Sequence, residues 1–370
     1  MEHFVKPSYG KILHFCHTAQ GICYSTLNGA AVSDYSVIVP EVTSDFDVVT
    51  DENDRLHLVC VTLSGDVAYY LCADGEWTGK TLLQSRSGEG SAGNIKLVNT
   101  SELNIFYTLQ YKGSRIIAHQ TINTEGVTPD VLDYTDDEFC VCCDRFLNIY
   151  VLYYSITYHN FGFMVHKSNT GKWSEFVPVP VEGYVKEPHI FIDSGDNIHI
   201  VGVKDGEVIY FSQQLQSLGN GRNPIIIEKD NLYILWENPS DGKIHSACSA
   251  DGGKSFSADA EFMAGRFAAP KLYAVSYTSN ETSCRAGCCY GYVTDGSVKF
   301  YLVPDFFNIS KIPRKTENQS VSRRPEVSQR PLPPPPGELQ KIIMLLEKIS
   351  VKEDVILSDL KKCLDNIKYE

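Results

Sequence analysis

Asp196-Asn197-Ile198-His199-Ile200-Val201 is the stretch that decides the fold, because the chain keeps returning to it. Asp230-Asn231-Leu232-Tyr233-Ile234-Leu235 and Leu147-Asn148-Ile149-Tyr150-Val151-Leu152 repeat it closely. Asp54-Arg55-Leu56-His57-Leu58-Val59 and Leu103-Asn104-Ile105-Phe106-Tyr107 are looser copies, and Lys11-Ile12-Leu13-His14-Phe15 is a degraded first one. A short strand phrase that recurs at intervals of a few tens of residues marks a stacked or circular β array.

A second phrase follows the first. Gly65-Asp66-Val67-Ala68-Tyr69, Gly206-Glu207-Val208-Ile209-Tyr210, Gly242-Lys243-Ile244-His245 and Gly296-Ser297-Val298-Lys299-Phe300 each read as a turn glycine and a returning strand. Glu187-Pro188, Asn223-Pro224 and Ala269-Pro270 open strands, where proline is tolerated. These markers start units near residues 45, 91, 136, 186, 222 and 266, with one more before 45. The chain is therefore expected to be all-β, a β-propeller of seven four-stranded blades over residues 1–308, with six as the alternative count. The unit from 186 to 221 is short enough to lack its outer strand. Closing the ring calls for a further strand, which residues 1–8 can supply to the last blade.

Of 370 residues, those from Ser310 onward hold 12 Lys/Arg and 9 Asp/Glu, a net of +3. Residues 1–309 hold 21 and 37, a net of −16. An acidic body excludes general nucleic-acid binding, which needs phosphate neutralisation. No basic start with an apolar stretch marks a leader, and no run reaches the length of a membrane span. The expectation is a cytoplasmic protein, with non-classical export or incorporation into a larger assembly as the alternatives. The dense cysteines, Cys140, Cys142 and Cys143 and then Cys284, Cys288 and Cys289, lie in strand-like sequence and read as structural thiols. His14, His57 and His199 occupy equivalent places where other units carry Tyr or Phe, so they read as packing residues. No metal and no cofactor is expected: the P-loop, dinucleotide and zinc-protease motifs do not occur.

Residues 309–337 are rich in Pro, Ser, Arg and Gln and read as a disordered linker. From 338 to 370 the apolar residues Leu339, Ile342, Leu346, Ile349, Ile356, Leu360, Cys363 and Ile367 fall at three- and four-residue steps. That spacing predicts a C-terminal helix with a heptad seam and points to the chain itself as partner, in a homo-oligomer.

Ser249-Ala250-Asp251-Gly252-Gly253-Lys254-Ser255-Phe256 carries the one specific motif. Its Ser249, Asp251, Gly253, Ser255 and Phe256 match S-x-D-x-G-x-[ST]-[WF], and the stretch resembles the Asp-box of sialidase-type (BNR-repeat) β-propellers. Ser168-Asn169-Thr170-Gly171-Lys172-Trp173 and Ala73-Asp74-Gly75-Glu76-Trp77 look like eroded copies. The resemblance implies a structural turn remote from the catalytic face. It also implies, for an active sialidase, three arginines clamping the substrate carboxylate. The first blade offers none, Arg55 being the earliest. Arg222 and Arg266 precede strand openings and are candidates to face the central funnel. No catalytic residue is assigned. The expected function is a non-catalytic binding or scaffold propeller for a glycan or protein ligand, displayed multivalently by the C-terminal helix. The alternative is a sialidase-like glycoside hydrolase or lyase acting in the funnel.

Deleting residues 338–370 is expected to leave a folded body that runs as a monomer in light scattering while the full chain runs as an oligomer. Equal masses for both would remove the helix as the oligomerising element.

Overall fold

The computed structural model describes residues 1–8, 11–28, 31–32, 34–85, 92–111, 113–122, 129–262, 271–277, 285–294 and 297–301. These belong to the first of two units, Met1–Ile312 and Pro313–Glu370. The linker and the heptad seam from Leu339 to Ile367 lie outside the described residues, as does Arg266.

All regular structure among the described residues is β-strand, as the recurring phrase predicts. Among the described residues the strand pairings form seven consecutive antiparallel units, the first and seventh sharing one sheet and the third and fourth another, whose first strands are Glu2–Lys6, Val42–Thr50, Gly93–Asn99, the second half of Asp130–Cys143, Lys186–Ile192, Arg222–Glu228 and Lys271–Tyr277. The long strand Asp130–Cys143 serves two units. Its first half is the outer strand of the third unit and its second half the first strand of the fourth, with a register shift between Thr135 and Phe139. The fifth unit does have an outer strand, Leu215–Asn220, paired to Glu207–Phe211. The short sequence accommodates it because the turn at Asp205-Gly206, both at positive φ, uses only two residues.

First and last units meet directly. Glu2–Lys6 pairs antiparallel with its own second strand, Ile12–Thr18, and parallel with Lys271–Tyr277 of the seventh unit, from Glu2↔Tyr273 to Lys6↔Tyr277. Residues 1–8 thus belong to the first unit and also supply the junction expected of them.

The core lies between the units. Phe15, Ile22, Phe46, Leu58 and Cys60 pack the first against the second. Val201, Tyr210, Ile234 and Trp236 pack the fifth against the sixth. A unit sandwiched on both faces buries its middle strand throughout: Leu58, Val59, Cys60 and Val61 are all at most 1% exposed. This is why the phrases read as continuous apolar runs rather than clean alternation.

The turns before the middle strands of the second, fourth and fifth units are each built on one aspartate. Asp51 Oδ1 accepts the backbone N–H of Asn53 and of Arg55, each at 2.9 Å. Asp144 Oδ1 does the same for Phe146 and Asn148, and Asp193 Oδ1 for Gly195 and Asn197. The intervening Asp54, Leu147 and Asp196 take positive φ. The second oxygen then reaches the side chain six residues on. Asp51 Oδ2 meets His57 Nε2 at 3.2 Å, Asp193 Oδ2 meets His199 Nε2 at 3.1 Å, and Tyr150 donates its hydroxyl to Asp144 Oδ2 at 3.1 Å. His57 Nδ1 and His199 Nδ1 in turn stand 2.8 and 2.7 Å from the hydroxyls of Tyr69 and Tyr210 on the next strand. His14 is held between Tyr35 and Glu2.

Burial lowers the pKa of His57 against the pull of Asp51 and takes His119, beside His166, down to about 4. Asp51 also lies below the usual carboxylate range: burial raises it, but the hydrogen bonds from Arg55 and His57 outweigh that. A folded pKa below the unfolded one means the unfolded chain takes up protons first as pH falls. The imidazoles therefore stabilise fully above about 6.5 and lose that contribution towards about 4, the carboxylates below that window. Urea midpoints are expected to fall steadily from pH 6.5 to 4.5. A flat profile would show that these imidazoles are not held neutral.

Candidate binding site

The first strands of all seven units line one central cavity of about 430 Å³. In the third, fifth and sixth units the strand enters through a bulge. Asn94, Glu187 and Asn223 sit there at φ near +50°, and the register shifts just after them. Pro188 and Pro224 follow two of these residues and line the cavity, so the prolines that mark strand openings in the sequence sit where the ladder asks for no N–H. Carboxylates stitch the rim from one unit to the next: the Glu187 N–H donates to Glu138 Oε2 at 2.5 Å, and the Asn223 N–H donates to the Glu187 carboxylate.

The deeper wall combines His3, Asp47, Lys96, Cys140, His189 and Cys288. Asp47 Oδ1 accepts the Val48 N–H at 2.8 Å and Oδ2 the Leu97 N–H at 2.7 Å. His3 Nδ1 lies 3.3 Å from Asp47 Oδ1. That is ion-pair spacing, yet burial drives both groups towards their neutral forms: His3 well below its ordinary value, Asp47 up to about 6. The burial governs, so at neutral pH an ionised Asp47 stands beside a neutral imidazole. Burial, with Lys96 nearby, takes His189 down to about 4. His3 Nε2 and His189 Nδ1 are buried without a hydrogen-bond partner. Burial lifts the Cys288 thiol to about 12 and raises Cys140, so both are protonated and poor nucleophiles. Among the described residues no three His, Cys, Asp or Glu gather as a metal site. A second cavity, lined by Arg115, Thr108, Ala92 and Gly93, shares Asp45, Asn94 and Glu138 with the first.

Arg222 is not among the residues lining the central cavity. It stands directly opposite Glu237 in the strand pairing, more than half exposed, with Nη2 2.6 Å from that carboxylate. Arg115 lines the second cavity, and three more arginines of the described body pair with carboxylates that do not line the central one. Arg55 pairs with Asp51, Arg145 with Asp196 and Arg285 with Glu228.

Residues Ser249 to Phe256 form a closed turn between the third and fourth strands of the sixth unit. Asp251 Oδ1 accepts the N–H of Lys254 and of Ser255, each at 3.0 Å, and the Ser249 hydroxyl at 2.7 Å; Oδ2 accepts the Ser255 hydroxyl at 2.6 Å. The Ser255 and Ser249 bonds hold the Asp251 carboxyl well below its usual range. Phe256 stacks edge-on against Tyr210 of the fifth unit, and Gln216 of that unit donates to the Gly253 carbonyl at 3.1 Å. The motif therefore clamps two neighbouring units, away from the cavity-lining residues.

No family model matches the chain, and no curated protein does. Solved structures do. A polysaccharide lyase, an ulvan lyase bound to -[GlcA(1-4)Rha3S]-, superposes with a TM-score of 0.50 at 12% identity, over 79% of this chain and 89% of that one. A Hadza microbial sialidase gives 0.45 at 9%, over 81% and 64%. The Aleuria aurantia lectin, a six-bladed β-propeller that recognises fucose, gives 0.42 at 10%, over 70% and 95%. At these identities the likeness to the lyase is one of fold.

Gly253 has φ +87°, and an added Cβ would fall 1.8 Å from Tyr210 Oη. Gly253→Ala is expected to cost about 2 kcal/mol or more, read as a lower denaturant midpoint. Asp251→Ala should lower the melting temperature and leave any ligand affinity unchanged. Lost affinity at an unchanged melting temperature would move the motif into the binding site.

Proposed function

We propose that this chain is a seven-bladed β-propeller that binds a glycan in its central cavity without transforming it, and that its C-terminal helix displays several such bodies together. The observation that carries the reading is the cavity itself. Seven first strands converge on it, its volume is in the range of small-ligand sites, and it offers carboxylates, imidazoles and an amine to a hydroxyl-rich ligand. Asp45 and Glu138 are exposed at its rim and Glu187 is half-buried, placed to accept hydroxyl hydrogens. Binding is favoured over turnover because the arginines with assigned partners hold carboxylates outside the cavity, and its two thiols are kept protonated. Multivalent display would raise avidity for a repeated ligand without any new contact.

A glycan array probed with the full chain and with Ala274→Phe, which fills the cavity from its seventh-unit wall, tests this. Signal on a defined set of saccharides that the variant loses is the expected result. An array without signal, or binding that survives in the filled variant, removes the cavity as the site. Release of shortened or unsaturated products from a bound saccharide would replace binding with hydrolase or lyase chemistry.

A further inference from the structure

Among the described residues, Lys96 is the one lysine or arginine that lines the central cavity. It is half-buried, on the first strand of the third unit, and no described carboxylate lies within ion-pair distance of it. It is close enough to influence His3, Asp47, Cys140, His189 and Cys288, which come from five other units. Its ammonium is thus central to the wall. A charge held in a partly desolvated site is costly unless it is paired. Asp47 compensates it only at a distance: the Lys96 charge holds the Asp47 carboxyl down against burial, while both Asp47 oxygens accept backbone N–H groups. Two further polar atoms lack a hydrogen-bond partner: His3 Nε2, on a residue 5% exposed, and His189 Nδ1.

Resting on the glycan reading above, we infer that the cavity selects a sugar acid, seating its carboxylate on Lys96 beside His189, with His3 Nε2 free to accept a hydroxyl hydrogen. The rim supplies the complementary half of the recognition. The exposed Asp45 and Glu138 and the neighbouring Glu187 would repel a bare anion at the mouth but accept hydrogen bonds from ring hydroxyls. A ligand with an anionic end and a hydroxylated body satisfies both layers. A neutral sugar leaves Lys96 unpaired, and an inorganic anion leaves the rim carboxylates unpaired.

Calorimetric titration of the full chain with glucuronate, glucose and sulfate tests this, using wild type, Lys96→Met and Lys96→Arg, each checked by thermal melting. Glucuronate should bind at least ~10-fold more tightly than glucose, the size of one charge-assisted hydrogen bond. Lys96→Met should erase that preference and Lys96→Arg should keep most of it. Raising salt should weaken glucuronate and not glucose. Equal binding of glucose and glucuronate, or a preference untouched in Lys96→Met, overturns the sugar-acid assignment while the glycan reading stands. Sulfate binding as tightly as glucuronate overturns it in favour of a simple anion site. Glucuronate binding unaffected by Ala274→Phe would remove the cavity, and this inference with it.

Discussion

One carboxylate at the start of the middle strand organises the second, fourth and fifth units and much of what packs on them. Asp51, Asp144 and Asp193 each gather two backbone N–H groups with one oxygen and a buried side chain with the other. The turn would otherwise leave those N–H groups unpaired at the edge of a packed sheet, and a buried donor without an acceptor is costly. The second oxygen fixes the orientation of the imidazole or phenol six residues on, and His57 and His199 carry that order to Tyr69 and Tyr210 one strand further out. In the fifth unit it extends further still. Tyr210 is the surface on which Phe256 rests, so Asp193 is linked through His199 and Tyr210 to the turn around Asp251 in the next unit. A local turn device becomes a contact between neighbours.

Much of this was legible in the sequence, for a specific reason. In the second, fourth and fifth units the phrase follows the same turn, and there histidine alternates with tyrosine because either can meet the aspartate. The aspartate was less visible, since it lies outside the phrase, six residues ahead of the aromatic. The turn from Ser249 to Ser255 is local, since every interaction it makes internally falls within five residues. The cavity was not legible. His3, Asp47, Lys96 and His189 come from the first strands of four different units, so no spacing along the chain announces them. Arg222 was a reasonable candidate from its place before a strand-opening proline. Its strand partner is Glu237, however, and a cross-strand ion pair holds it at the surface.

The two polar layers of the cavity differ in how firmly they are held. The rim carboxylates Glu138 and Glu187 accept N–H groups from the adjacent unit, so each is fixed by the ring as much as by its own strand. Asp47 is held by Val48 and by Leu97 of the next unit. These contacts preorganise the acceptors and leave Lys96, His3 and His189 as the groups with hydrogen-bonding capacity to offer.

The parallel pairing of Glu2–Lys6 with Lys271–Tyr277 has a consequence for biogenesis. Apart from this pairing and the Ser297↔Ala31 pairing of the same two units, the described strands pair within a unit or with the unit next in sequence, so those units can form in the order in which the ribosome delivers them. This junction cannot. It needs a contact between residues about 270 apart, and loop closure on that scale is the slow, high-contact-order step of folding. Until the seventh unit emerges, the first strand and the apolar face of the first unit, with Phe4 and Ile12, have no partner on that side. A nascent chain of this architecture carries an open sheet edge through most of its synthesis, the condition under which strands pair wrongly or with other chains.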